Sequence, residues 1–142
     1  MEQERPLPEY AALTAAFGAV LGGFLLLARR RLPERIGLVD VIGTGLASYK
    51  VGRLVAKDEV TSWVRAPVTE DPDATQPKPQ GVERALGELV TCPYCVGVWI
   101  ASGLSYGLVV FPRQTRLVNA IFGAQAVADF LNAAFVRLRE EG

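Results

Sequence analysis

The stretch YAALTAAFGAVLGGFLLLA, Tyr10 to Ala28, is nineteen residues without a charge and stops against Arg29-Arg30-Arg31. At a rise of about 1.5 Å per residue, a helix of that length reaches about 28 Å, close to the ~30 Å hydrocarbon core of a bilayer. Tyr10 and the arginine cluster stand where interfacial anchors stand. A cleaved signal peptide carries its positive charge ahead of the apolar run, and here the charge follows it. The stretch predicts a membrane-spanning helix, and with it an all-α integral membrane bundle.

Three more apolar segments follow. Residues 36–56 are less clean, with Asp40 near the start and Lys50, Arg53 and Lys57 toward the end. Those cations fall at i, i+3 and i+7, on one helical face, and fit two pictures. One is a spanning helix with a snorkelling cationic end, the other an amphipathic interfacial helix. Residues 92–111 carry no charge, and residues 117–136 are apolar apart from Asn119, Gln125, Asp129 and Asn132. The short link between these two predicts an antiparallel helical hairpin. The fold expected is one membrane domain over 1–142 with three or four spans. Between the second and third segments, residues 66–81 hold Pro67, Pro72, Pro77 and Pro79 among Glu70, Asp71 and Asp73. So little apolar area predicts a flexible loop. Val82 to Val90 resumes a helical pattern, with Leu86 and Leu89 on one side.

Composition removes several function classes. Fifteen basic and fifteen acidic residues leave no net field to attract nucleic acid. With no histidine, the usual general base, metal ligand and pH switch are missing. Two cysteines three apart make no disulfide framework. No phosphate-cradling loop, nucleophile–base pair or carboxylate pair matches a known catalytic template.

The motif that remains is Cys92-Pro93-Tyr94-Cys95, opening directly onto an apolar helix. Proline suits the first helical turn because its missing amide hydrogen would go unpaired there. The helix dipole favours a thiolate at Cys92, so thiol–disulfide exchange is one reading, with Cys92 attacking and Cys95 resolving. No β-strand precedes the motif as it does in a thioredoxin-like unit. A second reading is a zinc or iron–sulfur site completed by carboxylates or by a second copy's Cys92 and Cys95. The third is a helix-initiating turn with small, packable residues. Within the fourth segment Gln125, Asp129 and Asn132 share a face, and Asp129 is expected either to pair with Lys50 or Arg53 or to form a proton or ion site. Gly18 with Gly22, and Gly103 with Gly107, have the GxxxG spacing that lets helices pack closely, in the chain or between copies.

Taken together, LASYKVGRL from Leu46 to Leu54, DEVT from Asp58 to Thr61 and ELVTCPYCVGVW from Glu88 to Trp99 resemble an uncharacterised bacterial membrane family, domain of unknown function 1360. The resemblance runs from about Val39 to Val136 and leaves the first apolar segment as an addition. It implies a small multi-pass protein of a bacterial cell membrane. Some relatives carry the label of sporulation proteins, and the family supplies no catalytic residues to carry over. The leading expectation is a structural, assembly or adaptor subunit, packed against copies of itself or another membrane protein in the lipid bilayer. An oxidoreductase or a metal-bridged oligomer built on the dithiol is the alternative. Lysine and arginine placement puts the dithiol on the cytoplasmic side.

Overall fold

The computed structural model describes residues 5–71 and 73–141. Among them are six helices and no strand. These are α1 (Leu7–Ala28), α2 (Leu38–Lys57), a one-turn α3 (Ser62–Arg65), α4 (Gly81–Thr91), α5 (Pro93–Val110) and α6 (Pro112–Glu140). Helices α1, α5 and α6 are long and apolar enough to cross a membrane. Prolines stand at the first position of α5 and of α6, where a missing amide hydrogen costs nothing. Pro112 therefore begins α6 five residues ahead of the expected start, and Phe111 alone separates the two helices.

The core is a three-helix unit of α2, α5 and α6. Helix α2 runs parallel to α6: Asp40 meets Arg116, Thr44 meets Asn119, and Lys50 meets Asp129. The same helix runs antiparallel to α5, since Gly52 lies against Pro93 and Gly97. The contact surfaces consist of small residues one helical turn apart. On α2 they are Thr44, Ser48, Gly52 and Ala56, and on α6 Thr115, Asn119 and Gly123, all buried. Such side chains let helix backbones approach closely. At Gly52 a Cβ would sit 3.0 Å from the Pro93 carbonyl oxygen, so α2 and α5 touch backbone to backbone.

Helix α1 lies outside this unit, parallel to α5. Phe17 meets Trp99 edge to face at 5.1 Å, and Phe24 stacks on Tyr106 at 4.2 Å. Its Tyr10 hydroxyl donates to Glu88 of α4. Most large apolar side chains of α1 and α6, among them Leu26, Leu27, Leu131 and Phe135, face outward. In water this would be an unstable surface, whereas lipid tails cover it without cost.

The described residues of 66–81, a stretch expected to form a flexible loop, have a defined arrangement around Arg65. That side chain is 2% exposed. Its guanidinium donates to the carbonyls of Val55 (2.6 Å), Asp58 (3.1 Å) and Ala74 (2.9 Å). The cation thus occupies the carbonyl-rich end of α2, where the helix dipole favours positive charge. Ala74 is buried at φ +52°, a region rarely occupied without glycine, and its carbonyl is turned toward Arg65. Asp71 accepts from the amides of Thr75 and Gln76, and Thr69 pairs with Pro77. The loop crosses α4 at Gly87, where a Cβ would meet the Val68 carbonyl oxygen at 2.6 Å. Hydrogen bonds within the loop and to the buried Arg65, rather than apolar burial, offset the ordering entropy.

Arg65→Met keeps the volume and removes the donors, leaving buried carbonyls that cost about 1–3 kcal/mol each. Amide exchange at Glu70 and Lys78, whose amides bond within this loop, is expected to quicken by about tenfold or more. Unchanged exchange in the variant would show that Arg65 does not hold the loop.

Candidate functional site

Two groups of side chains are candidates. The first is the dithiol where α4 gives way to α5. Cys92 is the residue that caps α5: its backbone is extended, and its sulfur accepts from the Cys95 amide at 3.3 Å. Both thiols are free, Cys92 half-buried and Cys95 exposed, and they lie side by side with no disulfide. Burial pushes the Cys92 thiol up. Hydrogen bonds from the Cys95 thiol and from the Cys95 and Tyr94 amides, together with the Lys57 charge, outweigh it and hold Cys92 below the ordinary thiol range. Tyr94 projects outward beside them. Among the described residues, no three metal-ligating groups come together here or elsewhere.

Glu88, one turn before the dithiol, ties α1 to this end of the bundle. Burial pushes its carboxyl up, but hydrogen bonds from Tyr10 and Arg84 prevail and hold it below the usual carboxylate range. The Arg84 bond is 3.0 Å long.

The second group is the seam between α2 and α6. Arg116 grips Asp40 through two bonds of 2.9 Å. Asn119 donates to the Thr44 hydroxyl at 2.9 Å, both residues being buried. Lys50 bonds Asp129 at 2.7 Å, and Tyr49 stacks on Phe130 beside them. The polar groups of the seam therefore face one another across α2 and α6, with the Asn119 side-chain oxygen and the Tyr106 hydroxyl buried without a hydrogen-bond partner among the described residues. A groove of about 330 Å³ opens at the α5–α6 turn between Gly103, Gly107, Phe111 and Val118.

Of the residues singled out from sequence, Asp129 and Lys50 are brought together, while Arg53, Gln125 and Asn132 lie on exposed faces of their helices. Gly107 packs against Thr115, whereas a Cβ at Gly18, Gly22 or Gly103 would have no neighbour within 4 Å among the described residues. Asp40, Arg116, Thr44 and Asn119 escaped the sequence reading as a set. The turn-by-turn repeat of small and polar residues in α2 and α6 was the available signal. Arg65 had none, being one basic residue in a polar stretch.

Fold and site together define a small helical bundle of membrane-protein character, without a catalytic constellation among the described residues. The chain belongs to the protein family of unknown function DUF1360, whose profile matches residues 44–135. The matched region includes most of α2, the Arg65 loop, the dithiol and nearly all of α6, with α1 ahead of it. The chain is also 26% identical over 113 residues to the UPF0713 protein YngL of Bacillus subtilis strain 168, an alignment covering 74% of this chain and 87% of that one. No solved structure matches it.

The environment of Cys92 has a direct consequence. Cys95→Ala removes the thiol that donates to Cys92, so the pH at which Cys92 becomes half-thiolate is expected to rise. The rate of iodoacetamide alkylation against pH reports it. A midpoint that stays put or falls would show that Cys95 does not stabilise the thiolate.

Proposed function

We propose that the protein is a four-crossing subunit of a bacterial cell membrane with a structural role, assembling with or adapting another membrane protein or further copies of itself. The observation that carries this reading is the direction of the side chains. Polar side chains of α2 and α6 pair with one another along their seam, and large apolar side chains point away from the bundle. Such a molecule offers extended helix faces and no polar cleft among the described residues, which suits a scaffold better than a catalyst.

Three crossings are α1, α5 and α6, and the fourth is α2. Helix α2 contacts both members of the α5–α6 hairpin along its length, so a bilayer that encloses the hairpin encloses α2 as well. Its charges do not forbid this: Asp40 and Lys50 are paired, and Arg53 and Lys57 lie within reach of the interface. Nine of the fifteen lysines and arginines then fall at the Cys92 end, the other six being Arg29, Arg30, Arg31, Arg35, Arg113 and Arg116. That excess supports a cytoplasmic dithiol.

A second reading rests on Cys92 itself, a half-buried thiol below its ordinary range beside the exposed Cys95. In it the Cys92 thiolate attacks a partner disulfide, forming a mixed disulfide and releasing one partner thiol. Cys95 then displaces the second partner thiol, leaving the 92–95 pair oxidised and the partner reduced.

Photo-crosslinking in living cells tests both. With a benzophenone side chain at Leu131 or Phe135 of α6, the scaffold reading expects a protein adduct of discrete mass, unchanged when both cysteines are serine. Lipid adducts alone at every outward position of α1, α5 and α6 would overturn it. A mixed disulfide trapped by Cys95→Ser alongside that result would favour the exchange reading.

A further inference from the structure

Trp63 is 74% exposed and Val60 is 78% exposed, unusual for an indole and a valine in a segment otherwise tied down by hydrogen bonds. With Val64 they lie at i, i+3 and i+4, on one face, while Arg65 turns inward from the same turn. The depth of this patch follows from its bonds. The Thr61 hydroxyl donates to the Leu54 carbonyl, and Arg65 reaches the Val55 carbonyl at 2.6 Å. Residues 59–65 are thus folded back beside the last turn of α2. That turn is level with the start of α5, where Gly52 meets Pro93. At the same level stand the exposed Tyr94 in the first turn of α5, Lys57 at the end of α2, and Tyr10 in the first turn of α1. Aromatic and cationic side chains gathered at one end of spanning helices are the composition of a membrane–water boundary.

We infer that residues 59–65 are an interfacial membrane anchor. Val60 and Trp63 insert at the boundary of headgroups and acyl chains, and the segment joining α2 to α4 lies on the bilayer surface beside the dithiol. The occupant of the patch is lipid. A single indole with two valines falls well short of the roughly 800 Å² per partner that a stable protein interface buries. An indole at the headgroup level keeps its N–H hydrated while its ring leaves water.

The inference rests on the membrane placement of α1, α5 and α6, and the chain's two tryptophans separate the two claims. The full chain is reconstituted in phosphatidylcholine vesicles, with Trp99→Phe leaving Trp63 as the only tryptophan, excited selectively at the red edge of its absorption. Lipids brominated near the headgroup end of the acyl chain are expected to quench Trp63 about twofold more than lipids brominated near the chain terminus, with little quenching by aqueous iodide. Strong iodide quenching without a bromolipid effect would overturn the anchor in favour of water. Protection from both would overturn it in favour of a protein contact. In the reverse variant, Trp63→Phe, Trp99 lies about 9 Å further along α5 and is expected to respond to the deeper bromines. Failure of Trp99 to respond would instead remove the membrane placement itself. A nitroxide at Val60→Cys, in a chain with serine at both native cysteines and both tryptophans intact, repeats the test. Greater accessibility to oxygen than to a water-soluble nickel complex supports the anchor, and the opposite order contradicts it.

Discussion

The fold depends on the in-register contact between two parallel helices that are not neighbours in sequence, α2 and α6. Charge pairs stand toward its ends and a hydroxyl–amide bond between them: Asp40 with Arg116, Thr44 with Asn119, Lys50 with Asp129. A slip of one turn would separate all three pairs together, so the seam specifies register even where each bond adds little. Interhelical hydrogen bonds in membranes contribute about 0.6 kcal/mol on average. The close approach needed for those bonds comes from the small residues that interleave with them. Because α5 is joined to α6 through Phe111 alone, fixing α2 on α6 also brings Gly52 against Pro93 and sets the dithiol beside the end of α2.

That end of the molecule collects what is chemically distinctive. Arg65 gathers the carbonyls of Val55, Asp58 and Ala74 and draws the polar segment back onto α2. Glu88 joins α1 to α4 through Tyr10, one turn before Cys92. Cys92 is held as a cap under hydrogen bonds that favour its thiolate. The opposite end consists of short connections with clustered arginines.

Much of the fold was legible in the sequence because the signals were local. Long uncharged runs marked α1 and α5, and leucine spacing in 82–90 marked α4. Pro112 starts α6 ahead of the apolar segment, since proline fits a first helical turn as readily as it ends a previous helix. The glycine pairs drew attention to α1 and α5, yet a Cβ at Gly18, Gly22 or Gly103 would meet nothing within 4 Å among the described residues. The close-packed stripe lies in α2 and α6 instead, built as much from threonine, serine and asparagine as from glycine. Arg65 shows the other limit. Composition alone suggested mobility for 66–81, because a single buried cation that satisfies several carbonyls leaves no compositional trace.

Disulfide mapping in native membranes tests the parallel α2–α6 register most directly. In a chain with serine at positions 92 and 95, cysteines replacing Thr44 and Asn119 should oxidise to a crosslink, and those replacing Thr44 and Asp129 should not. A crosslink between 44 and 129 with none between 44 and 119 would contradict the parallel seam and the bundle built on it.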